Sequence, residues 1–467
     1  MPSARRRSVC FRPCPTMLGM PGNDRLERFA DLVVRVGANV QPGSFVLLRT
    51  DIAHLEIARA VAERAYVAGA SRVEVDWSDG PIRRSQLTHA DIEKLTRPRP
   101  WVIERTKAWA AERGVSITLV GDPDPHLLDD VDPAKAAAFP VEEAMAYREA
   151  IQGQQLRWTV VPAPNPGWAR EVFGEPDLER LWDAVATAMR LDEANPVASW
   201  RERAAELAAR ARALDALDLT EVRYRSADTD LTVGLVPDAR WTGGSMDDPD
   251  GVTYMPNIPT EEVFTSPDRR RADGVISLTK PVIIGGVVVE GLKVTFRGGR
   301  ITDITATSGV ESVRAQLDTD EGARSLGEVS LVDRDSRIAK ANILFHNMLF
   351  DENAACHVAW GQSFPFAVAD GLAKSNEERY EIGLNHSAIH TDVVIGGEGL
   401  TVTGTGPKGT IEIIRDDRWV LGTWPLRTRR NYKFQPRGGP ADRDPAGSFP
   451  DLLVVAPAAR SRLSSGR

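Results

Sequence analysis

The sequence predicts an α/β + α+β protein: an N-terminal parallel α/β domain followed by a mainly antiparallel β domain. Two observations carry this. Through the first half, short apolar runs alternate with helical stretches, as in Phe45-Val46-Leu47-Leu48 followed by an Ala-rich segment over 53–68. After Asp218 the period drops to two, and glycines punctuate the short runs.

The elements follow in order. Residues 25–37 read as an amphipathic helix, Gln41-Pro42-Gly43-Ser44 as a turn and Phe45–Leu48 as a buried strand. Arg72–Trp77 alternates as a strand, and helices are expected over 101–113 and 141–153. Ser116–Val120 and Trp158–Val161 are the next strands. Pro164, Pro166 and Gly167 mark a turn, and no strand end carries a Gly-rich phosphate loop. Residues 197–217 are rich in Ala, Leu, Arg and Glu and form the strongest helix of the chain. Beyond it, Thr220–Val236 alternates with period two. Val275–Leu278, Val282–Ile284, Leu292–Phe296 and Ile301–Ile304 are β-runs, with Gly298-Gly299 as a hairpin turn. The domain boundary is expected near 217: 23–217 is the α/β domain and 218–420 the domain with the candidate site. A basic extension, 1–22, and a Pro/Arg/Gly-rich stretch, 421–467, are expected to be poorly ordered.

Composition limits the function classes. The chain has 467 residues, 42% hydrophobic and 27% charged, as in an ordinary soluble globular protein. No run of 18 apolar residues occurs, so no transmembrane helix is expected. Net charge is −8, with +4 on residues 1–22 and +6 on 427–467, which leaves −18 on the body. An acidic body argues against nucleic acid as partner. The N-terminal stretch has arginines but no apolar core, so it makes a poor signal peptide, and Met17 and Met20 offer later starts. Three cysteines, Cys10, Cys14 and Cys356, make no disulfide framework, which fits a reducing, cytoplasmic compartment.

The chemistry-bearing residues concentrate late in the chain. Of 7 histidines, four (His346, His357, His386, His390) fall within 45 residues. In His390-Thr391-Asp392, a strand points the imidazole and the carboxylate to one face, while Ile389, Val393 and Ile395 take the other. That pairing suits a divalent metal. Glu262 and Glu328 lie upstream in strand-like contexts. Glu261 and Glu262 are adjacent, so they point to opposite faces and at most one joins a given site. Taken alone, that pair reads as solvated charge. Glu328, between apolar neighbours after a glycine, needs a partner, either a salt bridge or a metal. Taken alone, His357 in its mixed apolar run reads as a core histidine. Its neighbour Cys356 faces away as packing. Two Glu, two His and one Asp together suggest a metal site, with room for two ions.

The strings NIPTEEVFT, LGEVSLV, LFDENAACHVAWG and GLNHSAIHTD occur in this order between Asn257 and Asp392. In order and context they resemble the thermophilic aminopeptidase T / aminopeptidase S / aminopeptidase II family of metallopeptidases, over about residues 23–420. The resemblance implies that Glu262, Glu328, His357, His390 and Asp392 ligate two divalent ions, of Zn²⁺, Co²⁺ or Mn²⁺ type. It implies hydrolysis of N-terminal residues from small peptides by a metal-activated water, in a homodimer with an enclosed active site. Glu352 is a candidate general base, with a supporting or capping carboxylate as the alternative. His346 and His386 fall to supporting or surface roles. The family carries a tyrosine shortly after its first metal histidine, and here Phe364 occupies that place. Phenylalanine can neither coordinate nor donate a hydrogen bond, so the resemblance implies a site with the ligands kept and this group lost. The rival readings are a dinuclear amidohydrolase acting on non-peptide amides, and a non-catalytic descendant that binds metal or peptide.

Overall fold

The computed structural model describes residues 21–422, apart from 137 and 286. The expectations for residues 1–20 and 423–467, with Cys10, Cys14 and the run Leu452–Val455, lie outside the described residues.

The first half builds a four-stranded parallel sheet from β1 (Phe45–Asp51), β2 (Arg72–Ser78), β3 (Val115–Val120) and β4 (Arg157–Pro162), in the order β2-β1-β3-β4. Helices cover both faces, as a parallel sheet requires. Val46, Leu48, Ile117 and Val161 pack with the helices Pro21–Leu32 and Leu55–Val67 in one core. On the other face, Leu47 meets Trp109, Ala110 and Ala150 of the helices Pro100–Ala111 and Val141–Gln152.

Three local expectations change. The first helix ends at Leu32 and continues as a wider π-type turn over Val33–Gly37, where the Ala38 N–H donates to the Val33 carbonyl five residues back. Pro166 and Gly167 open a helix, Pro166–Phe173, instead of a turn. Proline fits the first helical position, and the Asn165 side chain caps it by accepting from the Trp168 N–H at 2.9 Å. Helices Gly80–His89 and Leu178–Ala188 also lie where no element was assigned. The second had a readable signal: Leu181, Trp182, Val185 and Ala188 recur at helical spacing and are all buried.

The helix Pro196–Asp215 joins the two halves. Trp200 and Ala204 sit in the first core, while Leu207, Ala211 and Leu214, on the same stripe, sit in a second. That second core lies within an eight-stranded antiparallel sheet, whose centre is the hairpin Glu221–Arg225 and Asp230–Leu235. The Gly298-Gly299 turn is present between Lys293–Arg297 and Arg300–Thr305. Both glycines have positive φ, 53° and 82°, as a tight hairpin turn of this twist demands.

Packed on that core is a smaller antiparallel sheet of β5 (Glu262–Thr265), β6 (Leu326–Val332), β7 (His357–Gly361) and β8 (His390–Val394), in the order β8-β7-β6-β5. Val263, Val329, Leu331, Val358, Trp360 and Val393 from its four strands enter the second core. The opposite face therefore holds the alternate residues, which are the candidate site residues.

Candidate metal centre

Strand pairing decides which side chains meet. Val332 lies opposite Glu262, Ser330 opposite Phe264 and His357, Glu328 opposite Ala359, and Ala359 opposite Asp392. Directly opposed residues share a face, so Glu262, Glu328, His357, His390 and Asp392 all project from one side. A regular strand would also put Leu326 on the face of Glu328. A β-bulge between them separates the two, and Leu326 enters the core while Glu328 enters the site. Gly327 makes the bulge possible: a Cβ there would lie 2.3 Å from the Gln362 carbonyl oxygen.

The five residues form two groups that share Glu328. His357 Nε2 lies 3.0 Å from Glu262 Oε2 and 3.7 Å from Glu328 Oε1. His390 Nε2 lies 3.2 Å from Glu328 Oε2 and 3.3 Å from Asp392 Oδ1. Each group offers three ligand atoms within 4.8 Å of one another, a spacing that can hold a metal ion. One carboxylate thus reaches toward both groups, one oxygen to each.

The outer nitrogens fix the rings. His357 Nδ1 contacts the Glu352 carbonyl oxygen at 2.9 Å, and His390 Nδ1 contacts the Gln362 carbonyl oxygen at 2.8 Å. A carbonyl only accepts, so each Nδ1 carries the proton, and the neutral ring turns an Nε2 lone pair toward carboxylate oxygens. Lone pair against lone pair is repulsive unless a cation or a second proton lies between. With no ion, the second proton is the remedy. Burial opposes charge on His357, but Glu262 and Glu328 outweigh it and push its pKa well up. Asp392 and Glu328 do the same for His390 against burial. Burial raises Glu262, although His357 pulls the other way. A divalent cation resolves the same conflict, and mixed imidazole and carboxylate donors suit Zn²⁺, Co²⁺ or Mn²⁺. The residues present therefore fit a divalent metal ion.

Supporting contacts surround the ligand atoms. The Ser330 hydroxyl donates to Glu262 Oε2 at 2.8 Å. Glu352 lines the same cavity. Burial, with the charges of Asp392 and Glu262, pushes its carboxyl well above the usual carboxylate range. Asn353, fully buried, ties two parts together: its Oδ1 accepts from the Glu261 N–H at 2.7 Å, and its Nδ2 donates to Glu352 Oε1 at 3.3 Å.

The expectation of solvated charge at Glu261-Glu262 fails. Both are buried, on opposite sides of the strand: Glu262 in the cavity, Glu261 against Arg190 and Arg203. The long helix supplies Arg203, and a buried carboxylate needs such a partner. Glu328 is likewise buried among the site residues. Cys356 faces the core, fully buried. His386 is exposed, and His346 lies 3.8 Å from Glu171, so neither joins the cluster.

The cavity holds about 210 Å³. Besides the five residues and Glu352, its walls include Trp158, Met246, Phe264, Phe364 and Phe366, with Thr242, Ser245, Asn257 and Thr260. Phe364 stacks at a tilt on His390, with ring centroids 5.0 Å apart. Trp158 comes from β4 of the parallel sheet. That strand also pairs with the approach to β5, where the Val160 N–H donates to the Pro256 carbonyl at 2.7 Å and the Ile258 N–H to the Val160 carbonyl at 3.1 Å. Sequence reasoning singled out Phe364 but gave no part in the site to the other wall residues or to Ser330. The readable signals were Phe364-Pro365-Phe366, with two aromatics at strand spacing, and Ser330 two residues after Glu328 on one strand face.

Comparisons with known proteins agree with this fold. A profile of the thermophilic metalloprotease (M29) family matches residues 22–419. Aminopeptidase 2 of Geobacillus stearothermophilus is 36% identical over 404 residues, which cover 85% of this chain and 98% of that protein. Aminopeptidase T of Thermus thermophilus is 38% identical over 404 residues, with the same coverage. The solved structure of wild-type AmpT from Thermus thermophilus matches with a TM-score of 0.77 at 36% identity, over 85% of this chain and 99% of that one. Parallel half, antiparallel half and a face of buried carboxylates and imidazoles thus come together in one chain, and that chain belongs to the M29 family of thermophilic metalloproteases.

Proposed function

We propose that the protein is a metal-dependent aminopeptidase that removes N-terminal residues from small peptides at a site for two divalent ions. Glu262, Glu328 and His357 would hold one ion, and Glu328, His390 and Asp392 the other. The observation that carries this is Glu328, buried, with one oxygen toward each histidine. The similarity to proteins named aminopeptidases supports the reaction class. When bound, such ions lower the pKa of water, polarise a carbonyl and take up a free amino group.

The chain's own groups do the rest. The carbonyls of Glu352 and Gln362 hold the protons on the outer nitrogens and keep both Nε2 atoms as donors to metal. Glu352 is the candidate for moving a proton, from its buried place in the cavity wall. Burial, with the charges of Asp392 and Glu262, raises its affinity for a proton. The aromatic wall excludes water from the reacting bond. Zn²⁺, Co²⁺ and Mn²⁺ are the ions of choice, and a cytoplasmic homodimer is the form in which we expect the enzyme to work. Among the described residues, no helix is long and apolar enough to cross a membrane.

Phe364 favours a second reading, a descendant that binds without turnover, because its ring lies against His390 and offers no hydroxyl there. One experiment separates them. The purified protein, with Zn²⁺, Co²⁺ or Mn²⁺ added, is assayed on aminoacyl-nitroanilides and on their N-blocked forms, beside Phe364→Tyr. Turnover of free-amino substrates alone supports the aminopeptidase. Turnover of blocked substrates alone points to an amidohydrolase. Metal binding without turnover in either protein supports the descendant.

A further inference from the structure

The aromatic part of the cavity wall has a chemistry of its own. Phe264, Phe364 and Phe366 form a continuous aromatic surface. Phe364 and Phe366 are stacked at 5.2 Å, Phe264 meets Phe364 edge-on at 5.4 Å, and Phe264 meets Phe366 edge-on at 6.3 Å. All three are only part-buried and line the cavity, with Met246 and Trp158 beside them. The surface is anchored from two directions. Phe264 sits on β5, on the site face opposite Ser330. The main chain of Phe364 is pinned to Ser266, whose hydroxyl accepts from the Phe364 N–H at 2.9 Å and lies 3.2 Å from its carbonyl oxygen. Phe364 also touches His390, so the apolar wall begins where the proposed metal site ends.

The polar part of the lining says what this wall does not take. Thr242, Ser245, Asn257 and Thr260 are neutral, and every charged wall residue belongs to the candidate ligands or is Glu352. Among the described residues, no lysine or arginine lines the cavity, so a substrate carboxylate side chain would find no basic partner there. An apolar side chain laid on the three rings gains by removing its surface and theirs from water.

We propose that the Phe264/Phe364/Phe366 wall is the specificity pocket for the substrate's N-terminal residue, and that it selects large apolar side chains (Leu, Met, Phe) over small and acidic ones. The proposal rests on the aminopeptidase reading. It gives Phe364 a role of its own: the residue that lost the family hydroxyl completes an apolar surface.

The test has two arms. In the first, the metal-loaded full chain is assayed on Leu-, Phe-, Ala- and Glu-nitroanilide. The expected kcat/KM for Leu and Phe exceeds that for Ala by about tenfold and that for Glu by 100-fold or more. In Phe366→Ala the Leu:Ala ratio falls to within about threefold of unity, and Phe366→Leu, which keeps the wall apolar, restores most of it. Equal or better turnover of the Glu substrate, or an unchanged Leu:Ala ratio in Phe366→Ala, overturns the proposal. The second arm works without turnover: binding of L-leucine and L-glutamate, as products, is measured by titration calorimetry on the metal-loaded protein. Leucine is expected to bind at least tenfold more tightly, and equal or tighter binding of glutamate overturns the proposal. Failure of every nitroanilide with leucine still preferred sinks the aminopeptidase reading but keeps the pocket. Should Phe366→Ala misfold, Phe366→Leu and the wild-type panel still decide.

Discussion

Among the described residues, two four-stranded sheets use their faces differently. In the parallel sheet, β1 to β4, both faces pack apolar side chains under helices. In the antiparallel sheet, β5 to β8, one face packs and the other carries Glu262, Glu328, His357, His390 and Asp392. The difference is one of pleat: period-two alternation lets a buried strand give every second residue to stability and the others to chemistry. The parallel sheet has no such division, and its part in the site is indirect. It places Trp158 in the cavity wall and pairs with the segment that leads into Glu262.

Substitutions on the two faces of the antiparallel sheet should therefore part activity from stability. The largest effect is expected for Glu328→Gln, which removes the carboxylate shared by both groups. Turnover should fall on the order of 10³-fold, while the melting temperature without metal moves less than in the next variant. A loss of tenfold or less would mean that Glu328 is not shared. Trp360→Ala breaks the other face. Trp360 is fully buried, and its indole N–H donates to Gln316 Oε1 at 3.0 Å. The cost is expected at about 3–5 kcal/mol, read by denaturant unfolding with metal saturating. If it were below 1 kcal/mol, the face would not be the packed one.

How far the sequence reveals this division differs between the two halves. The parallel sheet was legible from its apolar runs, because each strand there carries its own signal. The His390-x-Asp392 face was legible for the same local reason. Glu262 was picked out only as part of the five-residue set: beside Glu261 it looks like solvent-facing charge, and the buried partners of Glu261, Arg190 and Arg203, lie some 60 to 70 residues upstream. The separation of Leu326 from Glu328 was also hidden, because a bulge at Gly327 breaks the alternation that the pattern assumes. The aromatic wall stayed out of view because Phe264 and Phe366 meet only across 100 residues of chain.

Two smaller effects sharpen the contrast. Ser330→Ala removes the hydroxyl that donates to Glu262. A loss of about tenfold in metal affinity is expected, read by competition with a chelator, and an unchanged affinity would make Ser330 a packing residue. Asp417 is a carboxylate almost wholly buried near Cys356 on the core side. Burial pushes its pKa up to about 7, against the pull of the Gly397 N–H and Arg334. Unfolded, it titrates at about 3.9. Between those values the native chain keeps a proton that the unfolded chain has lost, so Asp417 lowers stability as pH rises through that window. Asp417→Asn should therefore stabilise the protein at pH 8 by about 1–3 kcal/mol, and at about pH 3 it should have no effect. A gain of equal size at both pH values would assign the effect to packing.

The most direct test of the two-ion face is anomalous diffraction from crystals loaded with Zn²⁺ or Co²⁺. The expected map has two peaks per chain, one against His357 and one against His390, with Glu328 between them. A single peak, or none in contact with Glu328, would contradict it.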